Sequence, residues 1–183
     1  MTLANQLTLL RIILIPLFVV VFYLPFKWAH FASAMIFSVA AITDWLDGYV
    51  ARKYNQSTPF GAFLDPVADK LMVAAALIVL VHLARLDAPI ALVIIGREIT
   101  ISALREWMAQ IGKSKSVAVS FLGKIKTVAQ MTAIPLLLYH DSIGDSFDSQ
   151  VIGTWLIYLA AIVTLWSMIY YLKAAIPHVI HHR

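Results

Sequence analysis

Residues 149–172 contain no Asp, Glu, Lys or Arg, and an apolar helix of that length reaches across the roughly 30 Å hydrocarbon core of a bilayer. That run ties the chain to a membrane before anything else is read. The remainder agrees: 61% of the 183 residues are apolar and 13% are charged, against roughly 25% charged in soluble domains. Those figures disfavour a disordered chain, an acidic tail and a surface that coats nucleic acid. The formal charge of +4 then reads as orientation in a membrane and affinity for anionic lipid rather than for DNA. Cysteine is absent, which removes disulfides and thiolate zinc sites.

Six helical spans are expected at residues 8–26, 28–50, 63–84, 89–110, 122–140 and 150–172. Turn-forming or polar stretches separate them, among them Pro25 with Lys27 and the segment 141–149. The expected fold class is therefore an all-α integral membrane protein, a six-transmembrane-helix bundle. Without a linker or internal repeat, residues 1–183 read as one domain. The fifteen apolar residues after Arg11 imitate a secretory leader, but cleavage would leave an awkward insert at 25–30, so a retained first span is expected. His178, His181 and His182 read as a solvated tail, since no carboxylate accompanies them. Lys and Arg fall mostly at one set of span ends (Arg11, Arg52, Lys53, Arg105, Lys113, Lys115, Lys124, Lys126, Lys173, Arg183), with Lys27 and Arg85 opposite. That asymmetry puts both termini in the cytoplasm.

The charges inside the other five spans are costly, about 2.5–3.5 kcal/mol each at a helix centre, so they are expected to face a bundle interior or an aqueous cavity. Arg11 opens the first span, Asp44 and Asp47 close the second, Asp65 and Asp69 open the third, Arg105 closes the fourth, and Lys124 with Lys126 open the fifth. In an up-down bundle all these ends lie together. Residues three or four apart share a helix face, which pairs Asp44 with Asp47 and Asp65 with Asp69. Four carboxylates in a low-dielectric cavity repel unless cations intervene, and all-oxygen ligation suits Mg2+ or Mn2+. A site for two such ions, with one carboxylate free to act as general base, would serve phosphoryl transfer.

Plainer readings stand beside this one. Asp65 before Pro66 equally fits a helix N-cap with proline in the first turn, and Asp44 and Asp47 equally fit ion pairs with Arg52 or Lys53. Gly48, Ala51, Gly61 and Ala62 would admit a flat or phosphorylated group close to backbone, or simply let two helices pack closely.

Written out, the segment is Asp44-x-x-Asp47-Gly48-x-x-Ala51-Arg52, eight residues, Gly61, three residues, Asp65, three residues, Asp69. It resembles the signature of the CDP-alcohol phosphotransferase family, with no fixed position departing. The resemblance implies six membrane helices, usually a homodimer, and transfer of a phosphatidyl or similar group from a CDP-linked donor to an alcohol, releasing CMP. It implies that Asp44, Asp47, Asp65 and Asp69 hold two divalent ions, with Asp69 also the base, and that Gly48, Ala51, Arg52 and Gly61 line the CDP pocket. Asn5 and Thr8 are similar to polar residues that members place beside the donor nucleotide; capping of the first helix is the rival reading.

Longer stretches, such as FGAFLDPVADKLMVA from Phe60 and SVAVSFLGKIKTVAQM from Ser116, resemble a bacterial branch whose donor is CDP-diacylglycerol and whose acceptor is glycerol 3-phosphate. That implies a bacterial inner membrane with the active site on the cytoplasmic face. A dianionic acceptor needs its own cations, and Arg97, Arg105, Lys124 and Lys126 are available. Arg97 and Arg105 lie roughly 80° apart around an ideal helix, close enough to border one pocket. Glu98, seven residues before Arg105, is the expected rival partner for that arginine. Another acceptor such as inositol phosphate, a divalent-cation transporter, and a scaffold whose polar cluster only sets helix register are the competing functions.

Overall fold

The structure is a computed structural model that describes residues 3–54, 59–112, 121–139, 142–143 and 147–180. Six helices carry almost all of it: α1 (Leu3–Phe22), α2 (Ala29–Tyr54), α3 (Pro59–His82), α4 (Ala88–Gln110), α5 (Phe121–Tyr139) and α6 (Ser149–Ile180). The expected all-α architecture gains one small addition, a two-residue antiparallel ribbon before α6. Its strands β1 (Ser142–Ile143) and β2 (Phe147–Asp148) pair Ser142 with Asp148 and Ile143 with Phe147.

Local chemistry sets the helix ends. Ala84, at φ 56°, turns the chain left-handed after α3, and Arg85 N–H then donates to Leu80 O at 3.0 Å. Asp87 leads into α4 in an extended conformation, with proline in the first turn. The Asp148 carboxylate accepts from the backbone N–H groups of Gln150 and Val151 and caps α6. Two end readings are overturned. Helix α3 begins at Pro59, so Asp65 lies inside it and is no N-cap, and α1 begins at Leu3, so Thr8 does not cap it. Helix α6 runs to Ile180, which makes His178 helical rather than part of a tail; His181 and His182 lie outside the described residues.

Contacts at opposite ends show that the helices alternate in direction. At one end Phe22 stacks on His30, Tyr23 meets His82, Phe31 meets Tyr139, and Arg85 donates to the carbonyls of Leu137 and Leu138 at 3.1 and 2.9 Å. Toward the other end Arg11 reaches Asp44 and Asp69, and Arg105 reaches Tyr171. Between them lies an apolar core that includes Phe18, Phe37, Leu77, Leu80, Ile94, Ile134, Leu137 and Ile157.

The outside is apolar as well. Leu10, Ile13, Leu17 and Val20 on α1, Phe31, Met35, Val39 and Ile42 on α2, and Trp155, Leu159, Ile162, Trp166 and Ile169 on α6 repeat at three- and four-residue spacing, and all are exposed, Trp155 to 75%. By length and composition one described stretch, Ser149–Lys173, is apolar enough to cross a bilayer; Gln6–Phe22, Ala29–Asp44 and Ile125–Tyr139 are shorter apolar stretches. Two of the shorter ones carry within them a charge whose side chain turns inward: Arg11 and Lys126 are buried.

Helices α5 and α6 make the most extensive pair contact, and at Gly153 there is no room for a side chain. A Cβ built there would stand 2.9 Å from Leu137 Cγ and 3.2 Å from Leu136 Cβ. Leu137 is itself fully buried and has nowhere to retreat. Gly153→Val should therefore cost about 1–3 kcal/mol by overpacking, read as a lowered melting midpoint in detergent.

Candidate active site

The helix alternation gathers polar side chains from all six helices at one end of the bundle. On α1, Thr8 and Arg11 stand three residues apart, and on α3 Asp65 and Asp69 stand four apart, so each pair occupies successive turns of one face. The two faces meet rung by rung. The Thr8 hydroxyl donates to Asp65 Oδ1, and Arg11 Nη1 lies 2.6 Å from Asp69 Oδ1. The same nitrogen lies 3.0 Å from Asp44 Oδ1 of α2. Arg11 is only 1% exposed, whereas the two carboxylates it bridges stay about one-third open.

A second group of charges comes from α4 and α5. Glu98 Oε1 is paired with Arg97 Nη1 at 3.3 Å and with Lys126 Nζ. Helix α6 closes this group from behind. Arg97 Nη2 donates to Ser167 Oγ at 3.0 Å, Arg105 Nη2 donates to the Tyr171 hydroxyl at 3.2 Å, and both guanidinium carbons lie over the Tyr171 ring, 5.9 and 5.2 Å from its centroid. The expected rivalry for Arg105 is resolved differently: Glu98 pairs with Arg97 and Lys126, while Arg105 is held by an aromatic ring. Lys126 outcompetes because it approaches from a facing helix, whereas Arg105 lies two turns further along the helix that carries Glu98.

Both groups open into one cavity of about 290 Å³, lined by Asp44, Asp69, Lys70, Arg97, Glu98, Arg105, Lys126 and Gln130 among others. It is bipolar. Asp44 and Asp69 enter from α2 and α3, and Arg97, Arg105 and Lys126 from α4 and α5, so a ligand can touch a carboxylate at one end and cations at the other. Of the residues singled out in the sequence, Asp44, Asp69, Arg97, Arg105 and Lys126 share this cavity, Asp65 and Thr8 adjoin it through the α1–α3 contact, and Gly61 is buried on α3. The side chains of Asn5, Asp47, Gly48, Ala51, Arg52 and Lys124 lie outside the described residues. Among the described residues no three acidic or histidine side chains form a group close enough to hold a metal ion. The donor chemistry nonetheless suits one: anionic oxygens from two helices already converge on a single positive group, Arg11, as hard oxygen ligands would on a divalent ion.

Several residues of the site, lining the cavity or holding its lining residues, escape the sequence reading. Arg11 was counted among the converging cations without a role, and the matched spacing of Thr8–Arg11 and Asp65–Asp69 was the signal for it. Lys70 and Gln130 carried no signal beyond lying one residue or one turn from Asp69 and Lys126. Tyr171 and Ser167 sit in the most apolar segment, where nothing marked them out.

The profile of the CDP-alcohol phosphatidyltransferase family matches residues 1–166. The chain belongs to that family. Among curated relatives, the CDP-diacylglycerol--glycerol-3-phosphate 3-phosphatidyltransferases of Salmonella typhimurium and Salmonella paratyphi A are each 57% identical to it over 172 residues, covering 92% of both chains. The enzyme of that name from Escherichia coli K12 is 56% identical over the same share. The family match spans α1 to α5 and more than half of α6, and thus every cavity-lining residue named above.

Proposed function

We propose that this family member is the transferase its relatives are named for. It moves the phosphatidyl group of CDP-diacylglycerol to the sn-1 hydroxyl of glycerol 3-phosphate, giving phosphatidylglycerophosphate and CMP for phospholipid synthesis. One observation carries the reading: a single cavity brings Asp44 and Asp69 together with Arg97, Arg105 and Lys126, as a reaction between a phosphoanhydride and a phosphorylated alcohol requires.

In this reading Asp44, Asp47, Asp65 and Asp69 hold two divalent ions, Mg2+ or Mn2+, in keeping with a family that is generally divalent-metal dependent; when bound, such ions neutralise phosphoryl oxygens and the departing CMP. Asp69 takes the proton from the sn-1 hydroxyl. That oxygen forms the new bond to the phosphorus bearing diacylglycerol, and the bond from that phosphorus to the oxygen of CMP breaks. Arg97, Arg105, Lys124 and Lys126 bind the acceptor phosphate, with the guanidinium groups preorganised by Tyr171 and Ser167. Asn5, Thr8, Gly48, Ala51, Arg52 and Gly61 border the CDP moiety.

The substrates impose the setting. A diacyl donor and two water-soluble partners meet only at a membrane surface, and the outward apolar faces of α1, α2 and α6 supply the lipid-facing wall. We place all six helices across a bacterial inner membrane, in one domain over residues 1–183, with both termini and the cavity mouth cytoplasmic and two copies forming a homodimer. The shortest helix, α5, has 19 residues, about 28 Å of rise. The decisive assay incubates purified protein with CDP-diacylglycerol, Mg2+ or Mn2+ and a panel of acceptors, following CMP and lipid product. Release of CMP with glycerol 3-phosphate is expected; its absence, or preference for inositol phosphate, rejects the acceptor assignment. Arg105→Ala should raise the acceptor KM by about 10- to 100-fold with a smaller change in kcat, since a phosphate contact made in ground and transition states is lost.

A further inference from the structure

Gln130 is 3% exposed, lines the 290 Å³ cavity, and its side-chain carbonyl Oε1 has no hydrogen-bond partner among the described residues. A buried amide oxygen left unpaired is costly, and natural structures keep few of them. The oxygen can only accept, so it is satisfied by an O–H or N–H donor or by a cation. A fully ionised phosphate offers neither, and none of the nearby cations donates to this oxygen: Lys126 is paired with Glu98, Arg97 with Glu98 and Ser167, and Arg105 with Tyr171.

Position narrows the donor further. Lys126 and Gln130 are four residues apart on α5, so they share a face with Gln130 about 6 Å deeper along the helix. Gln130 lines the same cavity as Asp44 and Asp69, at a level deeper than Lys126. An acceptor whose phosphate meets Lys126 and the arginines and whose terminal hydroxyl meets Asp69 brings its middle carbon past this level.

We infer that Gln130 is a specificity-determining residue whose Oε1 accepts a hydrogen bond from the non-reacting hydroxyl on the carbon between the phosphate and the reacting hydroxyl of the acceptor. The inference rests on the acceptor reading given under Proposed function. It assigns that hydroxyl a recognition role distinct from phosphate binding, and it gives a partner to the one amide side chain among the described lining residues.

The test compares glycerol 3-phosphate with 3-hydroxypropyl phosphate, which keeps the phosphate and the primary hydroxyl and lacks only the middle hydroxyl. Purified wild type, Gln130→Leu and Gln130→Met are assayed with CDP-diacylglycerol and Mg2+ by CMP release. Wild type should favour glycerol 3-phosphate on the order of 100-fold in kcat/KM, because a site built to pair a hydroxyl rejects the analogue lacking it. Both variants should lose most of that preference by falling on glycerol 3-phosphate while turning over the analogue at about the wild-type rate. That retained turnover also reports folding. A preference ratio unchanged in the variants, a wild type that does not discriminate, or variants that lose both acceptors alike would overturn the inference. Wild type that releases no CMP with glycerol 3-phosphate would instead reject the acceptor reading itself.

Discussion

Asp69→Asn should lower turnover by about 1000-fold or more while the protein folds normally. The amide oxygen still accepts from Arg11, whose nitrogen lies 2.6 Å from the present carboxylate, so the contact that ties α1 to α3 survives. What disappears is the negative charge and the basic oxygen. General-base catalysis alone contributes about 100- to 10,000-fold, and the proposed metal binding adds to the loss. CMP release measured beside a detergent melting curve separates the two effects. Near-normal turnover would remove Asp69 from the chemistry, and a melting midpoint that collapses with activity would make it a structural residue.

The second large effect belongs to Arg11. Removing one member of a buried ion pair typically costs about 3–5 kcal/mol, because the remaining charge is left uncompensated. Here Asp44 and Asp69 remain about one-third exposed, which softens that penalty to about 2–3 kcal/mol. Arg11→Leu should therefore lower the melting midpoint by several degrees, and Arg11→Lys by less. The drop should be largest in EDTA and smaller in millimolar Mg2+, since a cation held by the same carboxylates replaces part of the lost compensation. Equal drops in both conditions would argue against Asp44 and Asp69 as ligands.

Much of the helix arrangement could be read from where charges interrupt the apolar segments. Such interruptions are expensive in lipid, so Asp44, Asp69, Arg105 and Lys126 could hardly point anywhere but inward, and one cavity does contain them. Helix ends were harder. Asp65–Pro66 has the chemistry of a helix start, yet α3 begins at Pro59, and the packing of Asp65 on Thr8 outweighs the local preference. Partner choice was harder still, because it depends on how far each helix is rotated about its axis. Glu98 lies on the helix of Arg105, and only the rotation of α5 gives it to Lys126. Tyr171 was invisible for another reason: in an apolar helix, an aromatic residue that packs and one that holds two guanidinium groups are written with the same letter.

The Tyr171 and Ser167 contacts also bear on the order of assembly. Helix α6 leaves the ribosome after the other five, and until it is threaded into place Arg97 and Arg105 lack the ring and hydroxyl that fix them. A nascent chain with five helices inserted would already possess its acidic residues but no rigid grip for an anionic substrate. A rigid guanidinium pair thus arrives only with the synthesis of α6, and a message truncated within that helix would yield a protein whose Arg97 and Arg105 are left unfixed.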